Sequence, residues 1–175
     1  MGIIQGVNDK IKRIQTLQDN ISKVPEVINS VVSSKKDVLL SLNRDQMLLG
    51  RNSDGEVLGP SYLQDPYFKT PEKAKNYAEM KYKLEGVHNN MITNPQLFPN
   101  KNKDTPNLIV TGPFQDSMFI LLGENEYEIG STYIDTPDIE SKYNHKVFGI
   151  APESRAYFYR QWLLPVLIKS LKNGL

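Results

Sequence analysis

Apolar residues recur at every third or fourth position through the first fifty residues of the chain, which is the spacing of one face of an α-helix. Pro25 interrupts this pattern, and a proline either ends a helix or occupies the first turn of the next one. Gly50 follows the last apolar position, where glycine is a common C-terminal cap. We therefore predict an N-terminal helical segment over residues 1–50. Its apolar stripe comprises Ile4, Val7, Ile11, Ile14, Leu17, Ile21, Val27, Ile28, Val31, Val32, Leu39, Leu42 and Leu49.

This stripe favours ordinary packing, either in a core or between subunits. A coiled coil is less favoured because the heptad register drifts along the stripe. Binding to a membrane surface is also less favoured, since the polar face has no marked excess of basic residues.

Three short apolar runs in the second half of the chain predict β-strands. They are NLIVTG at 107–112, SMFILL at 117–122 and YEIGSTYI at 127–134. GENE at 123–126 joins the last two runs as a hairpin loop, and strands joined by such a loop are antiparallel. We predict a small antiparallel sheet in this region.

Helix signals surround these runs. Thr70 stands before a proline and a glutamate, as the N-cap of a short helix does. A polar helical stretch is predicted from Pro137 to Gly149. The residues from Glu153 onward predict a C-terminal helix, which Pro165 should kink or restart. The predicted fold class is α+β, with N-terminal helices, a small antiparallel β-sheet with a hairpin, and a C-terminal helix.

One segment of the second half has the composition of a loop. Residues 86–107 are rich in Asn, Pro and Lys, which predicts a long exposed loop or an extended arm inserted into an α+β domain at 51–175. Such a loop is uncommon in a compact domain unless it contacts something. We expect this arm to reach a neighbouring subunit and to be dispensable for folding of the monomer.

Composition restricts the functional classes. The formal net charge of +1 argues against a dedicated nucleic-acid binder, whose phosphate contacts need a basic excess. The absence of cysteine excludes disulfides, a thiol nucleophile and thiolate metal sites. No run approaches the length of a membrane span and the N-terminus lacks the layout of a signal peptide, so we expect a soluble intracellular protein.

Catalytic and metal-binding patterns are not evident. Ser117 lacks the flanking glycines of a nucleophile elbow, and no Walker loop follows a glycine-rich stretch. His88 and His145 stand apart, without the spacing of a metal site. The densest acidic group is better explained by helix capping than by paired catalytic carboxylates. That group is Asp135, Asp138 and Glu140. We expect no enzymatic activity, cofactor or metal, and a small hydrolase is the least favoured alternative.

Aromatic and basic residues alternate in KNYAEMKYKLE at 75–85 and in RAYFYRQW at 155–162. Such stretches can stack bases of a single strand. Packing of amphipathic helices with the lysine and arginine heads in solvent is the favoured explanation. A single-stranded nucleic-acid-binding protein therefore stays as an alternative, in which Tyr77 and Trp162 would stack the bases.

Short motifs follow one another in a characteristic order from about residue 42 to the end of the chain. A D-G turn is followed by Leu-x-x-Thr-Gly, a short apolar segment with Ser, Ile-Gly, a Tyr/His segment closed by Phe-Gly, and Arg before Phe. In this order and spacing the chain resembles the tailed-phage virion-morphogenesis family, the tail-completion and head–tail joining (neck) proteins. The motif residues are Asp54, Gly55, Leu108, Thr111, Gly112, Phe114, Ser117, Ile129, Gly130, Tyr143, His145, Phe148, Gly149, Arg155 and Phe158.

The resemblance implies a structural virion protein of a tailed bacteriophage, a tail-completion or connector protein that forms a homo-oligomeric ring at the head–tail junction. The ring, a hexamer or dodecamer, would contact a portal-side adaptor and the tail tube or tail terminator. DNA would pass through it without sequence-specific binding, and no membrane would be involved. The protein would occupy the host cytoplasm during assembly and the virion afterwards. A tail terminator or a non-virion assembly chaperone is an alternative within the same class.

The resemblance also gives Thr111-Gly112 a structural role, as the point where a strand ends and a short helix or bend begins. Gly112 would supply a permissive backbone, and Pro113 would occupy the first helical position. Phe114 and Met118 would then point inward, with Asp116 facing solvent.

Overall fold

Helices and one small antiparallel sheet make up the computed structural model, which describes residues 3–109, 112–123 and 126–172. The protein is 61% helical and 7% strand, so the predicted α+β class is confirmed. The helices are α1 (Ile3–Ser22), α2 (Val24–Ser34), α3 (Lys36–Leu48), α4 (Pro71–His88), α5 (Pro113–Asp116), α6 (Thr136–Lys142), α7 (Pro152–Phe158) and α8 (Leu164–Lys172). The strands are β1 (Met118–Leu122) and β2 (Tyr127–Ser131).

The chain divides into two compact units. The first unit consists of residues 1–35 and 158–175, and the second of residues 36–157. Packing therefore groups α3 with the residues that follow it. The sequence pattern placed the boundary of the helical segment after residue 50, and that boundary stays a prediction.

The first unit is built from α1, α2 and the C-terminal helix. Both α1 and α2 pack on α8. The Asn20 side-chain amide donates to the Leu171 carbonyl at 3.4 Å, and the Lys35 ammonium lies 4.5 Å from the centre of the Trp162 ring. The second contact is a cation–π interaction, which joins the end of α2 to the C-terminal helix.

Both prolines in this unit have the predicted effect on the helices. Pro25 lies in the first turn of α2, where its missing N–H costs no hydrogen bond. Pro165 lies in the first turn of α8, directly after a π-helical turn over Tyr159–Leu163. In a regular α-helix a proline ring clashes with the carbonyl of the residue four positions earlier. For Pro165 that residue lies within the wider π-helical turn.

Helix α3 lies at the centre of the second unit. Leu39, Leu42 and Met47 are buried on it. The polar residues Asn43 and Gln46 are also fully buried, because their amides satisfy backbone groups of the segment before α7. Asn43 donates to the Val147 carbonyl at 3.1 Å; Gln46 donates to the Gly149 carbonyl at 2.6 Å and accepts from the Ala151 N–H at 3.0 Å.

The sheet is the predicted hairpin of β1 and β2. Phe119 stands opposite Gly130, and Ile120 stands opposite Ile129. The ends of the hairpin loop are joined by a bond of 2.8 Å from the Gly123 N–H to the Glu126 carbonyl. Residues 124 and 125 of the predicted GENE loop lie outside the described residues.

The third predicted strand, NLIVTG, does not form over its described residues. Residues 107–109 are irregular, and Leu108 has φ of 51°. Side chains bind this backbone in place of a neighbouring strand: the Tyr62 hydroxyl accepts from the Asn107 N–H at 3.2 Å, and Gln115 donates to the Leu108 carbonyl at 2.7 Å. Val110 and Thr111 lie outside the described residues.

Residues 86–107 are anchored to the second unit at several points, although twelve of these twenty-two residues are exposed. Helix α4 extends to His88, and two 3₁₀ turns follow at Asn89–Met91 and Pro95–Leu97. Phe98 is buried in a cluster with Leu49 and Ala151, and residues 105–107 are buried as well. Only His88, Phe98 and residues 105–107 of this segment are buried, so much of the predicted exposure is present, and an inserted arm at 86–107 stays a prediction.

The helix predicted from Pro137 to Gly149 ends early. Helix α6 covers Thr136–Lys142 only. Asn144 and His145 follow with φ of 55° and 56°, which lies in the left-handed region and ends an α-helix. The prediction is wrong beyond Lys142. By contrast, Thr70 caps α4 as predicted, its hydroxyl accepting from the Lys73 N–H at 3.4 Å.

Candidate functional site

The Gly112–Pro113 turn has the predicted bend geometry. Gly112 has φ of 101°, and Pro113 opens α5. Phe114 is buried, with its ring centre 5.7 Å from that of Phe148 and 6.3 Å from that of Tyr133. Met118 is also buried and Asp116 is exposed, both as predicted. Thr111, the remaining residue of this motif, lies outside the described residues.

Ser117, directly before β1, is hydrogen-bonded to Ser131 at the end of β2. Its hydroxyl oxygen lies 2.7 Å from that of Ser131 and donates to the Phe114 carbonyl at 3.1 Å. The Ser117 carbonyl in turn accepts from the Thr132 N–H at 3.2 Å. These contacts hold α5 at the start of β1, which gives this serine a structural role.

The Ile-Gly motif packs within the sheet. Ile129 is buried opposite Ile120. The ring of Phe119 covers Gly130, and a Cβ added at this glycine would lie 2.8 Å from the Phe119 Cζ. Only glycine leaves room for the aromatic ring on this face of the hairpin.

The D-G turn contacts the segment that contains the Tyr/His and Phe-Gly motifs. Asp54 pairs with Lys146 at 2.7 Å, and the Ser53 N–H donates to the Lys146 carbonyl at 2.8 Å. A Cβ at Gly149 would lie 3.0 Å from the Cβ of Ser53, and one at Gly55 would lie 2.8 Å from a carboxylate oxygen of Glu153. Both glycines also have positive φ, 117° and 83° respectively.

Three motif residues stand apart from this group. His145 and Arg155 are exposed, and Phe158 belongs to the first unit. The other described motif residues lie in the second unit, from the D-G turn to the Phe-Gly motif. The structure thus brings together residues that are separated by about ninety positions in the sequence.

A cleft of about 420 Å³ opens in the second unit, and the motif residues Leu108 and Tyr143 are among those that line it. We call it the aromatic–lysine cleft and define it by Tyr62, Asp65, Phe68, Tyr77, Lys81, Lys142 and Tyr143, which line it. Its volume falls within the range of ordinary small-molecule sites. Tyr62, Asp65, Lys81 and Tyr143 are buried, whereas Lys142 is exposed at the rim.

Aromatic rings form one wall of the cleft. The ring centre of Tyr77 lies 5.2 Å from that of Tyr62, edge to face, and 5.0 Å from that of Phe68. Tyr77 and Phe68 are only partly buried, so part of each side chain faces the opening. Such a wall offers flat apolar surface to a planar ligand.

The charged side chains of the cleft differ in whether a group of opposite charge pairs with them. Asp65 accepts from the Lys142 ammonium and from the Tyr67 N–H at 3.0 Å. Lys81 is 2% exposed and donates to the Ile109 carbonyl, which is neutral. Burial, and secondarily the charge of Lys101, lower the pKa of Lys81 to about 8. Within the described part of the chain, Lys81 makes no ion pair with a carboxylate.

The tyrosines of the cleft are held in their neutral form. Burial raises the pKa of Tyr62, Tyr77 and Tyr143, and the Asp65 carboxylate adds to the increase at Tyr77 and Tyr143. At neutral pH all three hydroxyls therefore keep their protons, and that of Tyr62 donates to the Asn107 side-chain carbonyl at 3.3 Å.

Sequence reasoning identified this cleft only in part. The KNYAEMKYKLE segment was noted for its aromatic and basic residues, and Tyr77 and Lys81 of that segment share one face of α4 because they are four residues apart. Tyr62, Asp65 and Tyr143 come from other elements and have no local signal. Tyr82 and Lys83 of the same segment are exposed and do not line the cleft.

Among the described residues, no group of three or more His, Asp or Glu side chains is placed to hold a metal ion. No helix in this part of the chain has the length and apolar character needed to cross a membrane. The chain matches none of the protein-family models, curated proteins or solved structures with which it was compared.

Proposed function

We propose that the protein is a structural component of a tailed-bacteriophage virion, and that copies of it form a ring at the head–tail junction. The ring would lie between a portal-side adaptor and the tail tube or tail terminator. Its function would be geometric: each copy contacts the next through two different surfaces, and the closed ring leaves a channel for DNA.

The observation that carries this proposal is the convergence of the motif residues. Phe114 packs against Phe148, and the D-G turn packs against Lys146 and Gly149. The ordered motifs on which the resemblance rests are thus parts of one packed arrangement. They support kinship with the virion-morphogenesis proteins through a shared scaffold, and no catalytic step is required of them.

The hairpin supplies a surface that suits contact between subunits. Leu121 is 56% exposed and Leu122 is 39% exposed, at the end of a strand that has only one partner in the described chain. Ile134, shortly after β2, is 86% exposed. Large apolar side chains beside an open strand edge are features that an isolated protein avoids and that an assembling subunit buries.

Quantitative mass spectrometry of purified phage particles tests the proposal. About six or twelve copies of the chain per particle are expected, since these numbers match closed rings at the neck. Hundreds of copies would place the chain in the tube or shell and contradict the proposal. Absence from particles despite abundant expression would contradict it too, and would favour an assembly chaperone.

A further inference from the structure

Lys81 is a buried ammonium group that has no acidic partner among the residues that the structure describes. Burial of a charged amine is costly unless an opposite charge or several acceptors compensate it. The Ile109 carbonyl accepts one of the three N–H bonds that an ammonium offers. The nearest aromatic ring, that of Tyr62, has its centre 6.0 Å away and contributes only a weak further attraction.

The acidic groups near Lys81 are engaged with other cations. Glu85 is one turn further along α4 and pairs with Lys101. Asp65, across the cleft, pairs with Lys142. The charge of Lys81 is therefore left for a group from outside the chain to balance.

The aromatic–lysine cleft gives such a group access to this position. It is lined by Lys81 at its buried side, by Tyr77 and Phe68 along one wall, and by Lys142 at the exposed rim. The side chains of Tyr77 and Tyr143 also line the cleft, and a neutral tyrosine hydroxyl can donate a hydrogen bond to a bound molecule. An anion would meet Lys81 and two tyrosine hydroxyls in this cleft, while Lys142 at the rim is paired with Asp65.

We propose that the aromatic–lysine cleft binds a small planar aromatic anion, with its ring against Phe68 and Tyr77 and its anionic group against Lys81. The aromatic wall selects the planar ring by stacking and edge-to-face contacts. The uncompensated ammonium of Lys81 selects the negative charge, since Lys142 is already paired with Asp65 and a cation would meet repulsion from Lys81. This inference concerns the isolated chain and does not rest on the proposed assembly function.

Two sources share this ligand chemistry, namely aromatic phosphates such as nucleotides and aromatic carboxylates. Isothermal titration calorimetry of the full chain with thymidine 5′-monophosphate and with indole-3-acetate distinguishes them. Two controls are matched to these probes: thymidine has the ring but lacks the charge, and inorganic phosphate has the charge but lacks the ring. We expect one of the two aromatic anions to bind at least tenfold more tightly than both controls.

Variants with neighbouring controls on α4 test the position of the site. Lys81→Met keeps the length of the side chain and removes its charge, and Tyr77→Ala removes part of the wall. Each should weaken binding at least tenfold. Lys83→Met and Tyr82→Ala change the same residue types outside the cleft and should leave the affinity within twofold.

A measurement on the unmodified chain keeps the proposal testable if a variant fails to fold. On addition of the tighter probe, backbone amide chemical shifts should change most at Tyr77, Lys81 and Tyr143, and little at Tyr82 and Lys83. The proposal is overturned if neither aromatic anion binds at millimolar concentration, if the controls bind equally well, or if the shift changes lie elsewhere. None of these results would bear on the copy number in phage particles.

Discussion

The aromatic ring of Phe119 lies directly over Gly130 on the paired strand, where a Cβ would come within 2.8 Å of it. Gly130→Ala should therefore force the ring to move or the two strands to separate. We expect a loss of about 1–3 kcal/mol in the free energy of unfolding, the range for overpacked sites. Urea denaturation followed by circular dichroism measures this change.

Gly86→Ala is the matched control for this substitution. Gly86 lies within α4, and a Cβ added there meets nothing within 4 Å. Alanine has a higher helix propensity than glycine, so this variant should be more stable by about 0.5–1 kcal/mol. Equal effects of the two substitutions would contradict the packing role of Phe119.

Asp45 of α3 holds the segment that was predicted to be a free arm. Its carboxylate is 1% exposed and accepts from the backbone N–H groups of Thr93 and Asn94 at 3.0 and 2.9 Å. It also accepts from the Thr93 hydroxyl at 2.7 Å and the Asn94 amide at 3.1 Å. Asp45→Asn would replace one acceptor oxygen by an NH₂ group, which is itself a donor and would face donors of Thr93 or Asn94. This change should lower the free energy of unfolding by about 2–3 kcal/mol.

Asp37→Asn on the same helix is the control, because Asp37 is exposed in the first turn of α3. Its only expected contribution is a favourable interaction with the helix dipole, about 0.3–1 kcal/mol. If Asp45→Asn were no more destabilising than Asp37→Asn, the anchoring of Thr93 and Asn94 by Asp45 would not contribute to stability.

The parts of the fold that sequence predicted well are those with a local cause. Helices α1–α4 and the hairpin follow from periodicity, from prolines at helix starts and from the Thr70 cap. Residues 107–109 were misjudged as a strand, and the anchoring of residues 93–94 was not predicted, because these hydrogen bonds go to distant side chains, namely those of Gln115 and Asp45. No local pattern reports that a polar segment will be satisfied by residues from another element.

The same distinction applies to the cleft. Tyr77 and Lys81 were noticeable because their spacing on one helix is local. The burial of Lys81 depends on residues such as Tyr62, Pro106 and Leu108, which tertiary packing brings to the same cleft. The sequence therefore indicated the residue types of the site but not their burial.

Lys81 should make the stability of the protein rise with pH in the alkaline range. Its pKa is about 8 in the folded protein and near the ordinary lysine value of 10.5 in the unfolded chain. Between these values the unfolded chain binds more protons than the folded one, so the free energy of unfolding increases with pH. The gain should be about 2 kcal/mol between pH 8 and pH 10.

Lys81→Met isolates this contribution, and Lys83→Met is its control. Denaturation at pH 7.5, 8.5 and 9.5 should show the increase in wild type and Lys83→Met, and a smaller one in Lys81→Met. Charges next to Lys81, namely Lys101 and Glu85, are common to all three proteins. Above pH 10 the buried tyrosines oppose the trend, because their raised pKa values favour the unfolded state there. An equal slope in the three proteins would contradict the uncompensated burial of Lys81.

Leu121 tests the subunit contact that the proposed ring requires. Leu121→Lys places a charge on the exposed hairpin surface, and Leu63→Lys places one on a side chain of similar exposure, 54% against 56%. Both substitutions are at the surface and should change the free energy of unfolding by less than about 0.5 kcal/mol. A buried lysine at a subunit interface would lack a partner, so Leu121→Lys should enter phage particles at least tenfold less than wild type, while Leu63→Lys enters normally. Quantitative mass spectrometry of particles made by complementation measures both, and normal incorporation of Leu121→Lys would exclude the hairpin as the contact surface.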